Sequence, residues 1–83
     1  MSRDTLLLVE KCSHCFSWYD LESGERQHTL PLPEFPHEFV TDHAERFAYV
    51  GHYGVETSGH TGPGGHSILQ IDIRSPQLVR SID

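Results

Sequence analysis

The sequence predicts an all-β, antiparallel fold, on three observations. Short runs of the residue types that favour strands recur along the chain, bounded by Gly, Pro, Asp and Ser. Residues 36 to 52 read as two such runs joined by the polar turn Asp42-His43-Ala44-Glu45-Arg46, a hairpin around which the rest of the chain is organised. The two halves also repeat each other. Trp18-Tyr19-Asp20-Leu21 matches Gln70-Ile71-Asp72-Ile73, and Thr29-Leu30 matches Ser81-Ile82, both at an offset of 52.

The elements follow in order. Residues 5 to 10, apolar at their centre, suit a strand covered on both faces. Lys11 to His14 is a polar turn. Cys15 to Asp20 alternates, with Phe16 and Trp18 on one face and Cys15, Ser17 and Tyr19 on the other. Leu21 to Glu25 supplies a hairpin loop containing Gly24, and Arg26 to Leu30 is a polar, edge-like strand that ends where Pro31 and Pro33 remove backbone donors. A proline-rich connection leads into the strand Pro36 to Thr41, and Phe47 to His52 forms the next. Val55 to Gly65 is a long loop rich in Gly, Ser and Thr. His66 to Arg74 alternates as a strand, Ser75-Pro76 turns the chain, and Gln77 to Ile82 closes it.

Val9 aligns with Val50 at an offset of 41, so the difference from 52 equals the 11 residues of the inserted loop. The underlying period is about 40 residues, that of a four-stranded propeller blade. With blade strands lettered A (inner) to D (outer), the chain runs B, C, D and then A, B, C, D. Residues 5–30 make an incomplete first blade, and residues 36–83 a second blade with the insertion at 55–65. A complete propeller has about four to eight blades, so the chain is expected to be a propeller segment or a protomer that completes a ring by assembly. A compact seven-stranded domain with covered edges is the remaining architecture. In the first two, further propeller blades are the expected partners.

The central hairpin resembles the YVTN-type repeat of lactonase-like β-propellers. In that repeat an inner strand beginning Pro-His, here Pro36-His37, leads through a polar turn into a run such as Ala48-Tyr49-Val50-Gly51-His52-Tyr53-Gly54. His52 stands where the family usually carries Asn, and Asp42-His43-Ala44-Glu45 where it commonly has Pro-Asp-Gly. The resemblance implies a blade fold and a spread of functions that includes hydrolases, metal-dependent oxidoreductases and proteins that only bind. Fold alone does not choose among them.

Composition narrows the field. Twelve acidic against six basic residues give a formal charge of -6, which argues against nucleic acid or an anionic membrane as partner. No apolar run approaches the roughly 20 residues of a membrane span, and Leu6 to Val9 is too short for a signal peptide, so a cytoplasmic setting is expected. Two cysteines cannot build a multi-bridge framework.

Seven histidines in 83 residues are the unusual count. In the propeller arrangement the turn Lys11 to Cys15, the start of the strand at His37 and Glu38, and the loop from His52 to His66 all fall at one end. His43 falls at the other end and His28 on an outer strand. A small ligand or a protein partner would therefore be bound at a channel mouth by His37, Glu38, His52, Tyr53, His60 and His66. His37, His52, His60 and His66 are the candidate ligands of a divalent transition metal as cofactor, since imidazole nitrogen suits such ions, and Glu38 or Glu56 could complete the shell. A metal there could activate water, which makes a lactonase-like hydrolase or an oxidoreductase the enzymatic alternative; a structural ring-completing role is the third. The plain reading keeps the histidines as surface polar groups. No compact ligand motif is present, and no Ser-His-Asp arrangement is legible. Cys12-Ser13-His14-Cys15 lacks the second pair that a four-cysteine zinc site needs. Asp20 and Asp72 are expected to fix the geometry of their turns.

Overall fold

Alternating apolar residues need a sheet face to bury them, and short polar turns let neighbouring runs pair as antiparallel hairpins. The computed structural model describes residues 4–33, 36–52 and 67–82. Among them are β1 (Thr5–Glu10), β2 (Cys15–Asp20), β3 (Arg26–Pro31), β4 (Pro36–Thr41), β5 (Phe47–His52), β6 (Ile68–Asp72) and β7 (Gln77–Ile82), and no helix. They form two antiparallel sheets, β1-β2-β3 and β4-β5-β6-β7.

Two strand boundaries differ from expectation. β6 occupies Ile68–Asp72 and not the whole of residues 66 to 74. Asp72 ends it, because its Oδ1 accepts the backbone N–H groups of Arg74 at 3.0 Å and Ser75 at 3.1 Å and folds the chain into a turn. β3 runs one residue further, with Pro31 opposite Cys15. It is an edge strand, where a missing N–H is tolerated.

The sheets pack face to face. β2 contributes Phe16 and Trp18 to the shared core, and β5 and β6 contribute Ala48, Val50, Leu69 and Ile71, with Leu7, Val9, Leu30 and Phe39 packed around them. The Phe16 ring sits edge-on to Trp18 and to Phe39, with centroids 5.0 Å apart in each pair. The indole Nε1–H of Trp18 donates to the Ile73 carbonyl at 3.0 Å, so the one polar atom of that ring is satisfied across the interface.

The repeat is geometric as well as textual. Phe16↔Leu30, Ser17↔Thr29, Trp18↔His28 and Tyr19↔Arg26 in the first sheet become Ile68↔Ile82, Leu69↔Ser81, Gln70↔Arg80 and Ile71↔Leu78 in the second, each displaced by 52. The register shift between Trp18 and Tyr19 recurs between Gln70 and Ile71. Asp20 caps its turn as Asp72 does, accepting from the Glu22 N–H and the Ser23 hydroxyl. Leu21 N–H donates to the Asp4 carbonyl as Ile73 N–H donates to that of Arg46.

β1 and β5 are related by 42, which corrects the alignment of Val9 with Val50. Leu8 faces Ser17 where Val50 faces Leu69, and Leu7 faces Trp18 where Tyr49 faces Gln70. Two similar valines one residue out of step suggested 41. A slip of one would have placed β1 on the wrong face of its sheet.

This equivalence fixes how the sheets are stacked. The face of the first sheet that carries Phe16 and Trp18 looks at the second sheet. The corresponding face of the second, which carries Ile68 and Gln70, looks away. The two sheets are therefore stacked in the same sense, front to back, rather than related by a two-fold axis.

Candidate functional site

Strand direction sorts the connections to two ends. At one end lie the β1–β2 turn, the start of β4 and the end of β5. At the other lie the turns that follow β2, β4 and β6. Leu32 N–H donates to the His14 carbonyl at 2.8 Å and ties the β1–β2 turn to the connection that leaves β3.

His37 and Glu38 are the second and third residues of β4. Their side chains meet, with Nδ1 and Oε1 3.2 Å apart, and His37 is half-buried whereas Glu38 is exposed. Pro36 of β4 pairs with His52 of β5, so the backbone brings His37 and His52 to neighbouring positions on adjacent strands. Tyr53, His60 and His66 lie outside the described residues. Among those described, no group of three or more His, Cys, Asp or Glu side chains is placed to hold a metal ion. His43 is in the turn at the opposite end, and His28 on edge strand β3 stacks edge-on against Trp18 with centroids 6.1 Å apart.

The two cysteines sit in different environments. Cys12 is exposed in the turn, while Cys15 is the buried first residue of β2. Burial pushes the Cys15 thiol above its ordinary range, and the nearby Glu10 carboxylate adds to that. A thiol so placed is a poor nucleophile and a poor zinc ligand.

A polar cluster that sequence reasoning missed covers the outward face of the first sheet. Ser17, fully buried, donates to Glu10 Oε2, and Arg26 Nη2 lies 3.2 Å from Glu10 Oε1. The Tyr19 hydroxyl receives hydrogen bonds from Arg26 Nη2 at 2.9 Å and Nε at 3.2 Å. The Ser17 hydrogen bond, with Arg26 beside it, holds the Glu10 carboxyl below its usual range. Only register reveals it: on this face β1 carries Leu6, Leu8 and Glu10 while β2 and β3 bring Ser17, Tyr19, Thr29 and Arg26 alongside. The cluster's members bond to one another across three strands, which ties the strands together.

The second sheet carries the matching turn chemistry at the far end. Asp72 takes a two-pronged contact from Arg46, Nε to Oδ1 at 3.3 Å and Nη2 to Oδ2 at 3.2 Å, and that guanidinium lowers its pKa. Asp42 Oδ1 accepts the N–H groups of Arg46 at 2.8 Å and Phe47 at 3.0 Å, and the Phe47 bond is the main cause of its lowered pKa. Glu45 closes the same turn with φ 57°, the left-handed conformation that glycine adopts most readily.

A cleft of about 490 Å³ opens between the sheets at this far end, lined by Asp4, Thr5, Leu7, Leu21, Thr41, Glu45 and Ile73. It has an apolar floor and two carboxylates at its rim, and it lies away from His37 and His52. Compared with family models, with curated proteins and with solved structures, the chain finds no match.

Proposed function

We propose that the chain is a pair of β-propeller blades, the first short of its innermost strand, and that it acts as a binding module. The blades are the frame, and the end at which β4 begins and β5 finishes, with His37, Glu38 and His52, takes a small ligand or a partner. Tyr53, His60 and His66, outside the described residues, are the further candidates. The observation that supports this reading is the repeat: two sheets that agree pair for pair, share a bulge and an Asp-capped turn, and stack front to back. Propeller blades are built and packed in that way. The sequence resemblance to YVTN-type repeats agrees with it. Binding ranks ahead of catalysis because a metal-dependent enzyme needs at least three protein ligands to meet, whereas a binding site needs fewer convergent groups.

Zinc is a suitable probe of the histidine-rich end, since it reports convergent imidazoles whatever the natural ligand is. Zinc titration followed residue by residue by NMR should perturb His37 and His52 and leave the Asp4 and Glu45 cleft unchanged. His37→Ala and His66→Ala should each weaken binding and His28→Ala should not. Shifts confined to the cleft, or equal losses from all three variants, would refute this placement of the site.

A further inference from the structure

The front-to-back stacking leaves two outward faces, and the repeat says what each would fit. The outward face of the first sheet corresponds to the face that the second sheet turns into the shared core. On it, Leu6 and Leu8 occupy the positions of Ala48 and Val50. They are 46% and 40% exposed, whereas both mates are fully buried. The outward face of the second sheet corresponds to the face that the first sheet turns into the core. Ile68 occupies the position of Phe16 and is 47% exposed where Phe16 is 0%. Tyr49 and Ile82, half-buried, occupy the positions of Leu7 and Leu30. Large apolar side chains are thus exposed at the places whose counterparts are covered inside the molecule.

We infer that the outward face of β4-β5-β6-β7 in one copy docks on the outward face of β1-β2-β3 in a second copy, continuing the interface between the two sheets of one chain. This rests on the blade-pair reading and names the partner: another copy of this chain, bound head to tail. The polar groups on these faces do not oppose it. Glu10 is paired with Arg26 and Asp72 with Arg46, so both carboxylates are covered together with their counter-ions, and Arg80 Nε, which donates to Gln70 Oε1 at 2.8 Å, keeps a hydrogen-bond partner. A contact between two different faces repeats with every added copy, giving a ring if the rotation closes and a filament if it does not.

Native mass spectrometry of the full chain tests this with one variant on each face, Leu8→Glu and Ile68→Glu. The unaltered chain should form species larger than a dimer. Each variant alone should be monomeric, its interface weakened roughly a hundredfold or more. An equal mixture of the two should give a one-to-one heterodimer and nothing larger, because each variant retains the face that the other has lost. A homodimer of either variant would show a face pairing with itself and would overturn the head-to-tail contact. So would an unaltered chain that stays monomeric.

Circular dichroism and Trp18 fluorescence separate this failure from failure of the blade-pair reading. A folded monomer defeats only the assembly, whereas an unfolded one defeats both. Leu6→Glu and Val40→Glu, also on exposed positions of the two faces, repeat the test if either first variant does not fold.

Discussion

Replacing Phe16 and its repeat mate Ile68 by alanine, one at a time, tests the direction of stacking. Phe16 is fully buried, with edge-on contacts to Trp18 and Phe39 at 5.0 Å. Removing a buried Phe costs about 3–5 kcal/mol, cavity included. A chain of this length has a total stability of about 4–12 kcal/mol, so Phe16→Ala removes between a quarter and all of it. Ile68 holds the same place in its sheet but is 47% exposed. Full burial of an Ile side chain contributes about 1.5–3 kcal/mol; with half that area and no cavity, Ile68→Ala should cost about 1 kcal/mol or less. Urea denaturation followed by Trp18 fluorescence, at a dilution where the chain is monomeric, reads both. With a slope of about 1 kcal/mol per molar urea, Phe16→Ala should lower the midpoint by about 3 M or abolish the transition, and Ile68→Ala by about 1 M or less. If Phe16→Ala unfolds the chain outright, Phe16→Leu gives a readable value of about 1–2 kcal/mol. Equal costs at the two positions would mean that the sheets do not stack front to back.

Three further outcomes follow from the same geometry. Glu10, Asp42 and Asp72 titrate below their ordinary ranges in the folded chain, so each adds stability above its unfolded pKa near 4 that is lost as pH falls through the folded value. The urea midpoint should therefore drop on acidification below about pH 4, and Arg46→Gln should make that drop shallower by removing the Asp72 contribution. Iodoacetamide should label Cys12 quickly and Cys15 slowly, as mass spectrometry of the digested chain would show; equal rates would contradict the burial of Cys15. Gly24 has φ 77° with open space around its Cα, so Gly24→Ala should cost about 1 kcal/mol from backbone strain alone, and Glu45→Gly should gain about 0.5 kcal/mol by relieving the same strain. Both shifts are measurable in thermal melts.

Much of the fold could be read from the residues because local chemistry and packing agree. The alternation of Phe16 and Trp18 with Ser17 and Tyr19 marked a strand, and Asp20 and Asp72 marked the two turns that they cap. What the sequence could not supply was register. Val9 and Val50 are both apolar and both mid-strand, and only the pairing of Leu8 with Ser17 and of Val50 with Leu69 shows which residues correspond. The early end of β6 follows from how the Asp72 carboxylate turns, which alternation does not encode. Of the residues named for the candidate site, the pairing of β4 with β5 sets Pro36-His37 beside His52 along the backbone. The Glu10, Ser17, Tyr19 and Arg26 network was missed because its members are scattered over three strands and meet only through cross-strand pairing.

The most direct test of the account is a nuclear Overhauser measurement on the dilute, monomeric chain. Trp18 lies in the first sheet and Ile73 follows β6 in the second, with the indole N–H bonded to the Ile73 carbonyl at 3.0 Å. Stacked sheets should give strong cross-peaks from that N–H to the Ile73 and Arg74 backbone, ring-to-ring peaks between Phe16 and Phe39, and slow exchange of the indole proton with solvent. An indole proton that exchanges as freely as in an unfolded peptide, with no peak to residues 73 and 74, would show that the two sheets are not stacked on each other in this way.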